Sequence, residues 1–202
     1  MRLFQLLIYL FLCSTSIASG NNLVNKAISA PCAACHGPNG QSLNPAWPHL
    51  AGQQTDYLKK QLLDLKTGQT RHADAAMLPF ILNLTDEDIT NLAGFYAHQP
   101  RPPGSHHLRR KNQQGEALYQ FGNPDKNILA CTACHGADGK GNGIPGFPAL
   151  RGQQIHYIIH QLKAFKTGER HNDPSQTMPR ITENMSEDDM YALAHYLAGL
   201  PR

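Results

Sequence analysis

The chain has 202 residues, 41% of them hydrophobic and 16% charged, and a formal net charge of +3. That charge is too small and too scattered along the chain for a nucleic-acid-binding surface. The apolar fraction is slightly low, so a domain of about 80 residues buries only a limited core by itself and would gain from a large planar group at its centre.

Residues 1–20 read as a secretory signal peptide that is removed. Met1-Arg2 is followed by a nearly unbroken apolar run from Leu3 to Cys13 and then by Ser14-Thr15-Ser16-Ile17-Ala18, with cleavage expected after Ala18 or Gly20. The run is too short for a comfortable membrane span, and small residues follow it where a stop-transfer segment carries basic ones. Bulky Leu12 in front of Cys13 argues against a lipoprotein anchor at that cysteine. Export implies the periplasm, where free dithiols are unusual. Once Cys13 leaves with the signal, the other four cysteines form two pairs, Cys32/Cys35 and Cys131/Cys134.

The rest of the chain is one unit written twice. Cys32-Ala33-Ala34-Cys35-His36-Gly37 matches Cys131-Thr132-Ala133-Cys134-His135-Gly136, and Pro48-His49-Leu50-Ala51-Gly52-Gln53-Gln54 matches Pro148-Ala149-Leu150-Arg151-Gly152-Gln153-Gln154. Tyr57 to Gly68 matches Tyr157 to Gly168, and Met77 matches Met178. A single repeat of this length means duplicated domains rather than a solenoid. The first domain is placed at 21–99 and the second at 109–202. Between them, 100–108 is a linker whose prolines and glycine favour extended chain.

Within each unit the periodicity is helical. Tyr57, Leu58, Gln61, Leu62 and Leu65 share one stripe, as do Tyr157, Ile158, Gln161, Leu162 and Phe165. Thr85 and Ser186 stand as N-caps with acids in the next turn, opening helices that run through Tyr96 and Leu197, the second stopped by Gly199. No segment alternates with period two. The fold class is therefore all-α, each domain a small bundle of helices joined by long loops.

Cys-x-x-Cys-His is the attachment signal of c-type haem. Two thiols one helical turn apart add to the vinyl groups, and the next residue carries an imidazole to the iron. Cys32, Cys35 and His36 form one such set, and Cys131, Cys134 and His135 the other, which implies two covalent haem c groups. A zinc site from both cysteine pairs, a redox dithiol and a Cys-x-x-Cys disulfide are the competing readings; the first and last leave the histidines unexplained, and the dithiol lacks its strand-helix context. Met77 and Met178, in matched loops followed by Pro79 and Pro179, are the expected sixth iron ligands. His72 and His171, one residue out of step, are the alternative, and a thioether would give the higher potential. Pro48 and Pro148 are read as carbonyl acceptors for the ligating imidazoles, with ordinary turn prolines as the plainer explanation.

Together the two CxxCHG motifs, the Pro-x-Leu-x-Gly-Gln runs, Gln161 to Arg170, the paired methionines and the closing Tyr196-Leu197-Ala198-Gly199-Leu200 resemble cytochrome c4 over essentially the whole mature chain. The resemblance implies two tandem small cytochrome c-like helical domains, each wrapped around one covalent haem, with His/Met iron and neighbouring propionate edges. It also implies a periplasmic, monomeric electron carrier rather than an enzyme, working with membrane-bound respiratory complexes or other redox proteins toward a terminal oxidase. Peripheral membrane association stays open. The alternative is a dihaem subunit of an oxidoreductase such as a flavocytochrome sulfide dehydrogenase. Lys59, Lys60, Arg109, Arg110 and Lys111 are candidates for docking an acidic partner, or for a plain solvated surface.

Overall fold

The computed structural model describes residues 28–70, 75–104, 112–143 and 146–201. The signal segment, His72, His106, His107 and Arg109 to Lys111 lie outside the described residues. The first unit contains helix α1 (28–36), α2 (Thr55–Lys66), a 3-10 turn (Ala75–Met77), α3 (Leu78–Ile81) and α4 (Asp86–Ala97). The second contains α5 (Gln113–Phe121), a 3-10 turn (Pro124–Lys126), α6 (Thr132–His135), α7 (Ile155–Thr167), α8 (Thr177–Glu183) and α9 (Glu187–Gly199). The described residues show no strand, only the isolated bridges Asn123–Ile128 and Asn142–Phe147.

Local chemistry starts the long helices. At α4, Thr85 accepts from the Asp88 amide while Asp88 accepts from the Thr85 amide; Ser186 and Asp189 repeat the arrangement at α9. Two of the amides that a helix start leaves without partners are satisfied each time. The end of α9 differs from the sequence expectation. Gly199 is the last helical residue, and the stop comes from extended Leu200 (φ −65°, ψ 131°), the conformation imposed by the following Pro201.

In the first unit α2 packs on α4, with Leu58, Leu92, Ala93 and Tyr96 at the centre. In the second, α5 and α7 pack on α9 around Tyr119, Leu162, Met190, Tyr196 and Leu197. Contact between α5 and α9 depends on Gly115, where a Cβ would sit 2.2 Å from the Ala192 carbonyl oxygen.

Helix α2 serves two surfaces. Leu58 and Leu65 are buried in the core, whereas Tyr57, Gln61 and Asp64 face the second unit. There the buried Arg170 donates to Gln161 (2.7 Å), Tyr57 (3.0 Å) and Gln61 (3.1 Å). Lys60, a candidate docking residue, is instead spent within the molecule: it pairs with Asp64 and donates to the Asn172 carbonyl at 2.8 Å. From the linker, buried Arg101 donates to the carbonyls of Gly52 in one unit and Arg151 in the other.

Candidate haem sites

Helix α1 delivers the first cysteine–histidine set and ends at residue 36. In the second unit Cys131 precedes α6, and the amide of His135 donates to the Cys131 carbonyl at 2.9 Å. Residues at i, i+3 and i+4 share one helix face. Each motif therefore presents two thiols and an imidazole on the same side. None of these cysteines is in a disulfide: Cys32, Cys131 and Cys134 are half-buried and Cys35 is exposed. Among the described residues no group of three or more His, Cys, Asp and Glu side chains converges as a zinc site would require.

The imidazoles are the buried part of each set, 5% exposed at His36 and 7% at His135. Nδ1 of His36 lies 3.0 Å from the Pro48 carbonyl oxygen, and Nδ1 of His135 lies 2.9 Å from that of Pro148. A carbonyl only accepts, so Nδ1 carries the proton and the lone pair is left on Nε2. That is the tautomer a metal ligand needs, with its ring direction fixed. Burial holds both rings below the usual histidine pKa, outweighing the opposite effect of the proline carbonyl, so both are neutral at pH 7.

The proline loops are held from behind. Leu50 and Ala51 donate to the Gly40 carbonyl at 2.8 and 3.0 Å, and Leu150 and Arg151 donate to that of Gly139 at 2.8 and 3.2 Å. Gly40 has φ +73°, and a Cβ there would fall 2.6 Å from the Tyr96 ring, so the turn that carries this carbonyl requires glycine.

Burial raises the thiol of Cys32 and pushes that of Cys131 up to about 12. Neither cysteine is thus poised as a reactive thiolate. Cys131, Leu150, Met178 and Ile181 are partly buried and pack against the hydrophobic core of the second unit. In the first unit Cys32, Leu50 and Leu62 pack on the core. Met77 is half-buried beside exposed Leu78 and Phe80.

The methionine segments are more regular than the irregular loops expected from Pro79 and Pro179. Met77 ends a 3-10 turn and caps α3, and Met178 lies in the first turn of α8. Both prolines fall among the first three positions of a helix, where the missing amide has no helical partner to lose. The Met178 amide donates to Asp173 at 2.8 Å, and Thr182 donates to the Met178 carbonyl at 2.9 Å. His171, the alternative ligand, is exposed.

A lone-pair nitrogen at the buried end of each Cys-x-x-Cys-His turn, with thiols on the same face and apolar side chains behind them, fits haem c. The cytochrome c family profile matches residues 18–99 and again 112–201. Cytochrome c4 of Thiocapsa roseopersicina is 41% identical over 170 residues, spanning 84% of this chain and 86% of that protein. The crystal structure of reduced cytochrome c4 from Pseudomonas stutzeri superposes with a TM-score of 0.80 at 36% identity, covering 88% of this chain and 97% of that one. The chain belongs to the cytochrome c4 family.

A further relative, a thiosulfate dehydrogenase electron acceptor of Stutzerimonas stutzeri, is 36% identical over 172 residues, 84% of this chain and 78% of that protein. As a cytochrome c4-family protein the chain is an electron carrier, not an enzyme, and has two haem c groups, one per cytochrome c domain. When bound, each haem supplies a one-electron iron couple, and the Cys-x-x-Cys-His residues with their buried imidazoles would hold it. No sequence pattern assigns Gln53, Gln153, Arg101 or Arg170 a role beyond its place in the repeat or linker, although the first two are visible as a matched pair.

Proposed function

We propose that this chain is a periplasmic dihaem electron carrier of a respiratory chain, passing electrons toward a terminal oxidase. Cys32 and Cys35 attach the first haem and Cys131 and Cys134 the second. His36 with Met77, and His135 with Met178, are the axial iron ligands. The observation that carries this reading is the hydrogen bond from each motif histidine to its proline carbonyl, made the same way in both units. Two neutral imidazoles held in one tautomer serve two equivalent sites, and a methionine on the sixth position of each would leave no coordination site for a substrate. Closed iron of this kind transfers electrons and does no other chemistry.

The Stutzerimonas relative's name favours one particular electron source, a thiosulfate-oxidising dehydrogenase, over the sulfide-oxidising flavoprotein partner considered from sequence. Fractionation of the periplasm separates carrier from subunit. A carrier elutes alone and is reduced by the dehydrogenase in a second-order reaction. A constant stoichiometry with a flavoprotein through purification would contradict the carrier reading. Processing at Ala18 or Gly20 is checked by the N-terminus of the exported protein.

A further inference from the structure

The two units exchange a matched pair of side-chain clamps. Gln153 of the second unit donates from Nε2 to the His49 carbonyl at 2.9 Å and accepts at Oε1 from the His49 amide at 2.8 Å. Gln53 of the first unit does the same to Ala149, donating to its carbonyl at 2.9 Å and accepting from its amide at 2.7 Å. Each Oε1 also accepts from the amide of the next residue, Gln154 or Gln54, at 2.9 Å. Both glutamines are buried, 5% exposed at Gln153 and 6% at Gln53. Their amide groups are thus held in one orientation by three bonds apiece.

The clamped residues sit next to Pro48 and Pro148, whose carbonyls receive the imidazole Nδ1–H bonds. Both polar groups of the residue after each proline are therefore fixed by the opposite unit, which fixes the peptide plane that carries the acceptor. We propose that Gln53 and Gln153 are reciprocal positioning residues, each setting the hydrogen bond on the proximal histidine of the haem in the opposite unit.

This proposal rests on His36 and His135 being iron ligands. A strong bond from Nδ1–H to a carbonyl makes the imidazole more electron-rich and favours ferric iron. Freeing the loop weakens that bond, so the midpoint potential of the affected haem rises. The effect crosses the interface: a change in the second unit is read at the first haem.

The test uses the full haem-loaded protein with Gln153→Leu and Gln53→Leu, each haem being followed through a redox titration by its own hyperfine-shifted methionine and histidine proton signals. Gln153→Leu is expected to raise the potential of the first haem, shift the His36 ring signals and speed amide exchange at His49. Gln53→Leu is expected to do the same to the second haem, His135 and Ala149. Gln54→Leu removes a different cross-unit bond, 2.9 Å to the Lys140 carbonyl, and is expected to leave both potentials in place, so general loosening of the interface does not imitate the result. Equal shifts at both haems, shifts only in the substituted unit, or unchanged potentials would overturn the proposal while leaving the ligand assignment standing. Absence of hyperfine-shifted His36 and His135 ring signals from the unsubstituted protein would overturn their assignment as ligands, and this proposal with it.

Discussion

His49 shows how much one side chain depends on its surroundings. Burial, then the charge of Arg101, then His36, bring its pKa down to about 4, so it is neutral in the folded protein while the unfolded chain takes up a proton near pH 6.5. The unfolded state binds more protons between those values, and stability falls as pH drops through that window. Urea midpoints are therefore expected to decrease between about pH 6.5 and pH 4, and His49→Gln is expected to flatten part of that slope. An unchanged slope would remove His49 from the account. The caps make a second prediction at this scale: Ser186→Ala is expected to cost about 1 kcal/mol in denaturant unfolding, by loss of the two bonds its hydroxyl makes with the Asp189 amide and carboxylate at the start of α9. Thr85 and Ser186 were legible in the sequence because a cap and its acid lie three residues apart. The partners of Gln53 and Gln153 lie 96 and 104 residues away, beyond any local pattern.

Among the elements, helix contacts turn on which glycines are crowded. Gly115→Ala places a methyl against the Ala192 carbonyl and forces α5 off α9. It is expected to destabilise by about 1–3 kcal/mol, the usual range for overpacking. Gly94, within α4, has nothing within 4 Å of its would-be Cβ. Gly94→Ala is expected to be neutral or stabilising by up to about 1 kcal/mol. Denaturant midpoints of the two variants check the contrast, and equal effects would contradict the packing described. The core helices α2, α4, α7 and α9 were readable from their period and caps. The helical turns around Met77 and Met178 were not, because proline signals a break yet is tolerated in a first turn. Gly199 misled for a related reason: the residue that ends α9 is Pro201, acting through Leu200.

Across the whole molecule, duplication was plain in the sequence, but the side chains that join the copies were not. Arg170 is buried with its guanidinium shared among Gln161, Tyr57, Gln61 and Asn172. Tyr57, Gln61 and Gln161 are ordinary helix-face residues, and Asn172 an ordinary loop residue, until the units meet. Arg170→Leu leaves several buried polar groups without their charged donor, and is expected to lower stability by on the order of 3 kcal/mol and to split one calorimetric transition into two. A single unshifted transition would show that the network does not couple the units.

The central claim, two covalently held haems with closed His/Met iron, is tested most directly by the optical spectrum of the purified haem-loaded protein, oxidised, reduced, and reduced under carbon monoxide, with an intact mass to count haems. The account expects a mass increment of two haems, a far-red methionine-to-iron charge-transfer band and no spectral change with carbon monoxide. A single haem, a high-spin signature or ready carbon monoxide binding would contradict it.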